Sequence, residues 1–166
     1  MHTVVLTVDG QEIFRSTVDR FSQEENRMIN SWTCGQYMKS FIDPGNTLRM
    51  LEAANDNRGL VTIDEERDYR FLYTLTDAFG NTSHTRFTVR GKKQPIERLQ
   101  HREKYFFAWN CTNFLQEPGL TLIVPKGMLY DDVALNYQMK ADSGAVAFTY
   151  QLSDESVPLH GSCGLR

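Results

Sequence analysis

Asn57–Arg90, NRGLVTIDEERDYRFLYTLTDAFGNTSHTRFTVR, carries two alternations back to back. Tyr69, Phe71, Tyr73 and Leu75 interleave with Arg70, Leu72, Thr74 and Thr76; then Thr85, Phe87 and Val89 interleave with His84, Arg86, Thr88 and Arg90. A repeat of two places one set on each face of a half-buried β-strand. Between them Asp77-Ala78-Phe79-Gly80-Asn81-Thr82 offers an aspartate that can bond its own turn and a Gly-Asn pair that accepts positive φ. The two strands are therefore predicted to fold back as a hairpin.

Upstream, Thr3–Val8 alternates, Asp9-Gly10 is a tight-turn signal, and Gln11–Val18 continues through Ile13 and Phe14, so the chain opens as a second hairpin. Ser22-Gln23-Glu24-Glu25 fits a capping box before a short helix, and Trp32–Phe41, with Tyr37, Met38 and Phe41, reads as a further single helix weakened by Gly35. Asp43-Pro44-Gly45-Asn46 is a turn, Leu48–Leu51 a strand, Asn55–Gly59 a polar loop and Leu60–Ile63 a short strand. About six strands at this spacing predict an immunoglobulin-like antiparallel β-sandwich over residues 1–92.

Residues 93–104 are polar and read as a linker. Beyond it, Tyr105–Trp109, Leu120–Val124, Val133–Met139 and Ala145–Leu152 predict a second, smaller β-sandwich module over 105–166. About four strands make a thin core, and the module is expected to be truncated. The start inside a strand pattern and the end at Cys163-Gly164-Leu165-Arg166 together predict a fragment of something longer.

Composition narrows the function. The 166 residues are 40% hydrophobic and 11% aromatic, with 18 Lys+Arg against 21 Asp+Glu, so no basic field exists to condense on phosphates and no nucleic-acid partner is expected. No run approaches the ~20 apolar residues that cross a bilayer. Cys34, Cys111 and Cys163 are odd in number and far apart, and read as packed thiols rather than a disulfide framework or metal knuckle. His2, His84, His101 and His160 form no zinc motif, although His160 lies three residues before Cys163. The acidic run Asp64-Glu65-Glu66 with Asp68, and the pair Asp131-Asp132, read as solvated turns rather than calcium loops. No catalytic residue, metal ligand or cofactor is expected in this chain. The binding candidates are Tyr105, Phe107 and Trp109, whose rings with Phe106 could stack on sugars, with core packing the competing use for alternate members.

The hairpin YTLTDAFGNTSHTRFTVRGK resembles the Asp-x-x-Gly-Asn turn of bacterial immunoglobulin-like domains. The succession VDRF, MINSW, DPGNTL, NRGLVTIDEERDYRFLYTL, FAWN, LIVPKGMLYDDVALN and VPLH resembles the region downstream of the catalytic domain in exported lysostaphin-type zinc metallopeptidases of Gram-negative bacteria. That resemblance implies successive β-sandwich modules, a periplasmic or cell-envelope setting, an upstream metallopeptidase domain as partner, and peptidoglycan as the material acted on. It also implies zinc in the catalytic domain alone, because the family's His-x-x-x-Asp and His-x-His motifs have no counterpart here. The alternatives are an independent glycan-binding or adhesion module using Trp109 or the loop 77–82, and a small enzyme built on His160, Cys163 and Asp131-Asp132.

Overall fold

The computed structural model describes residues 1–95, 103–141, 144, 148–153 and 156–166. The fold is all-β, in several antiparallel sheets, and divides into two compact units, Met1–Glu97 and Arg98–Arg166.

The first unit is built on β1 (His2–Val8), β2 (Gln11–Val18), β5 (Leu51–Ala53), β6 (Asp68–Thr76) and β7 (Thr82–Arg90), in the order β5-β2-β1-β6-β7. Both hairpins read from the sequence form, and β1 joins them by pairing with β6. Leu6 lies between Phe14 and Tyr73 across the strands, and Val8 opposite Phe71, so β1, β2 and β6 share one apolar face. A covering layer of helix α1 (Asn26–Trp32) and the chain through Leu48 and Met50 closes over it. Trp32 is buried there, with its indole N–H donated to the Lys39 carbonyl at 2.7 Å. The layer is pinned by Asn46, whose side chain donates to the Met28 carbonyl and to Ser31 Oγ while accepting from the Leu48 amide. With both ends of this buried amide satisfied, the turn at 43–46 is locked to the helix.

The capping box closes, with the Ser22 amide donating to Glu25 and the Glu25 amide to Ser22 Oγ, and the short helix it precedes runs to Trp32. Three local expectations are corrected. Trp32–Phe41 is not a helix. The helix ends where Thr33 turns extended, and the chain then forms the short ribbon β3 (Thr33–Cys34) and β4 (Tyr37–Met38), whose turn uses Gly35 with φ of 60°. The strand expected at 48–51 lies at Leu51–Ala53, where the chain reaches the free edge of β2, and Leu60–Ile63 forms no strand.

The second unit contains β8 (Tyr105–Phe107), β9 (Asn113–Glu117), β10 (Leu120–Val124), β11 (Val133–Leu135), β12 (Tyr137–Ala141), β13 (Phe148–Leu152) and β14 (Gly164–Leu165). They pair as a three-stranded sheet β14-β10-β9 and the ribbons β11-β8 and β12-β13. The alternation at 133–139 is interrupted, since Val133–Leu135 pairs with β8 and Tyr137–Ala141 with β13. The strand predicted to begin at Ala145 is described from Phe148, residues 145–147 lying outside the described residues. Phe107, Leu115, Leu120, Leu122, Val124, Leu129 and Leu135 form its core.

Candidate binding surface

The aromatic stretch at 105–109 is mostly committed to packing. Phe107 is 3% exposed and its ring belongs to the second core. Tyr105 packs partly against that core, meets Tyr137 edge-on, and donates its hydroxyl to Glu117 at 2.7 Å. Lys104 pairs with the same carboxylate, so the Glu117 carboxyl is held below its usual range by Lys104 first and Tyr105 second. Trp109 is half-buried against the core, and its backbone N–H donates to Asp132 at 3.0 Å. These three rings do not form one exposed platform; Phe106, between two inward-facing neighbours, is the exposed ring of β8.

The polar candidates are likewise occupied. Glu65 and Asp68 pair with Arg67 and Arg90, Asp64 accepts from the Tyr69 hydroxyl, and Glu66 accepts from the Lys93 amide. His160 Nδ1 lies 2.8 Å from the Tyr130 hydroxyl, His84 Nδ1 lies 3.1 Å from the Thr74 hydroxyl, and His101 lies outside the described residues. All three cysteines are free thiols, and burial pushes the Cys163 thiol up. Among the described residues no set of three or more His, Cys, Asp or Glu side chains converges on a metal position.

What the first unit does present is the other face of its sheet. Register places Thr7, Leu72 and Arg86 in one row across β1, β6 and β7, with Arg70 opposite Thr88 one step along. Arg70 and Arg86 thus share a face on adjacent strands as diagonal neighbours, about 7–8 Å apart at the backbone. Together with Thr7, Thr88, Asp9 and Asp68 they line an open cleft of about 640 Å³ floored by Leu72. The acidic members are neutralised internally. Asp9 takes Arg67 at 2.6 Å and the Arg70 backbone N–H at 3.0 Å, which hold its carboxyl below the usual range, and Asp68 takes Arg90 at 2.9 Å. Neither the Arg70 nor the Arg86 guanidinium makes an ion pair among the described residues, although Arg70 also acts on the Asp9 carboxyl across the cleft.

The tip of the β6–β7 hairpin is tied by its own hydrogen bonds. Asp77 accepts from the backbone N–H groups of Phe79 and Asn81 and from the Asn81 side chain, all within 2.8–2.9 Å. This knot holds Phe79 out at 91% exposure. The same bonds, led by the Asn81 side chain, lower the Asp77 carboxyl from its ordinary 3.8. A lowered folded value means that the tip's stabilisation is complete above the unfolded value and disappears as pH falls through the folded one. The amide resonances of Phe79 and Asn81 should therefore move toward random-coil positions on acidification below 3.8, and in Asp77→Ala they should sit there at every pH. Shifts in Asp77→Ala matching those of the parent protein at neutral pH would show that the carboxylate does not hold the turn.

A family model described as a Zu5-like domain matches residues 104–166, less than half of the chain. No curated protein and no solved structure matches it. No helix among the described residues is long and apolar enough to cross a membrane.

Proposed function

We propose that the chain is a non-catalytic accessory β-sandwich segment of a cell-envelope zinc metalloendopeptidase, which binds the peptidoglycan wall and so positions the catalytic domain on its substrate. Zinc belongs to that upstream domain in this reading. The order of motifs from VDRF to VPLH supports the enzyme class, and the all-β units support an accessory role. The observation that carries the binding role is the broad outer face of the first sheet, whose regular strands present a cleft of about 640 Å³ lined by two arginines that make no ion pair among the described residues. Such a surface recognises a polymer by contact and charge, and needs no reacting group.

Co-sedimentation with insoluble peptidoglycan tests this. The chain should pellet with the wall at about 0.15 M salt and should still pellet, less completely, at about 0.5 M, where screening has shortened the reach of non-specific attraction. Chitin, a glycan without peptides, should pellet little of it. Absence of pelleting at both salt levels overturns the wall-binding reading, and equal pelleting with chitin replaces it with the glycan-binding or adhesion module.

A further inference from the structure

We infer that the outer-face cleft of the first sheet is a carboxylate-recognition site, in which Arg70 and Arg86 together hold the carboxylate of an acidic peptide chain. The inference deepens the wall-binding reading, since both rest on this cleft, and uses nothing of the peptidase assignment.

Three observations lead to it. The two guanidinium groups come from neighbouring strands fixed by an unbroken nine-residue register, Asp68↔Arg90 to Thr76↔Thr82, so their spacing is set by a rigid ladder rather than by loops. Guanidinium is planar, always charged, and matches a carboxylate with two parallel hydrogen bonds. The arginines that could have been spent on the local carboxylates are different ones: Arg67 serves Asp9 and Glu65, and Arg90 serves Asp68. Arg70 and Arg86 remain for an incoming anion, with the Thr7 and Thr88 hydroxyls beside them as further donors.

The rest of the lining decides the class of anion. Asp9 and Asp68, though each is paired with an arginine, keep carboxylates in the lining, which oppose a phosphate of nearly twice the charge more than a singly charged group. Their outer lone pairs can accept from backbone or side-chain N–H groups, which a peptide supplies alongside its carboxylate. Leu72, half-buried on the floor, suits the apolar stem of a glutamate-like side chain. The open form of the cleft admits a chain passing across the strands.

The test uses the whole chain and a short oligo-L-glutamate, with oligo-L-glutamine of the same length and inorganic phosphate as comparisons, read by calorimetry and by amide chemical shifts. Oligoglutamate should bind and move the Arg70, Leu72, Arg86 and Thr88 amides, while oligoglutamine should move none of them. Arg70→Gln and Arg86→Gln should each weaken binding by roughly tenfold or more, as expected for losing hydrogen bonds to a charged group. Both side chains are exposed, so the fold should survive, and unchanged melting would verify this. Lys126→Gln removes the same charge from an exposed position in the other unit and should leave affinity within about twofold. An equal loss in Lys126→Gln, absence of binding, or phosphate binding as tight as oligoglutamate would each overturn the assignment. Wall pelleting of the parent chain without oligoglutamate binding would overturn this inference and leave the wall-binding reading standing; oligoglutamate binding without wall pelleting would do the reverse.

Discussion

Phe14→Ala is expected to destabilise the first unit by about 3–5 kcal/mol, the range for removing a buried aromatic ring. Phe14 is 2% exposed at the centre of the apolar face, between Leu6 on β1 and Ala53 on β5. Its ring also supports the turn above it, because Gly59, with φ of 87°, packs so closely that a Cβ there would meet Phe14 Cδ2 at 3.2 Å. The void would open where sheet and covering layer meet, and neither can collapse into it without shifting the β1 register. Against a total stability of about 5–15 kcal/mol this is a large fraction. At roughly 4–8 °C per kcal/mol the melting midpoint should fall by tens of degrees. The Trp32 indole N–H resonance is the direct readout, since its bond to the Lys39 carbonyl exists only while the layer is closed. A fall of less than about 5 °C would mean that the covering layer, not the ring, carries this core. The site depends on the same ring indirectly: if β1, β2 and β6 lose register, Thr7, Arg70 and Arg86 no longer line one cleft.

Periodicity made the sheet of the first unit legible because β1, β2, β6 and β7 are long, half-buried and joined by turns with strong local chemistry. Asp9-Gly10 takes φ of 51° and 86°, as its sequence asks, and Asp77 ties its own turn. The covering layer was harder to read. Tyr37, Met38 and Phe41 have helical spacing, yet Tyr37 and Met38 are exposed on a two-residue ribbon, and the buried ring is Trp32 at the end of the preceding helix. A short helix holds too few residues for spacing to outvote tertiary packing. Strand β9 was missed because Asn113, an unlikely strand former, is buried there for its hydrogen bonds to the 108–111 loop.

The proposed cleft was not legible in the sequence for a related reason. At 105–109 the aromatic content was visible, but alternation does not say which parity faces inward, and Tyr105 and Phe107 share the inward one. Arg70 and Arg86 were visible as members of polar faces. That they are diagonal neighbours depends on the register Leu72↔Arg86, which the hairpin turn sets. That Arg70 makes no ion pair among the described residues goes with Asp9, distant in sequence, pairing with Arg67 at 2.6 Å. Neither fact is a property of any local window, whereas the period of two is.

Leu115→Ala is expected to cost the second unit about 2–5 kcal/mol, and there the cost should exceed what the unit can bear. Leu115 is fully enclosed at 0% exposure on β9, opposite Leu122 on β10, in a core of seven buried apolar side chains. A unit of roughly seventy residues buries a smaller share of its surface than a larger domain and starts with little margin. The Trp109 indole and Leu122 amide resonances should collapse toward unfolded positions at room temperature, or the midpoint should fall by at least about 10 °C. Phe114 supplies the internal comparison. It precedes Leu115 on the same strand and is 64% exposed, so Phe114→Ala removes a larger side chain yet should stay within about 0.5 kcal/mol of the parent protein. The contrast isolates strand parity from side-chain size. If Phe114→Ala proved the costlier change, the register of β9 against β10 would be displaced by one residue, and every inward assignment on that strand would reverse with it.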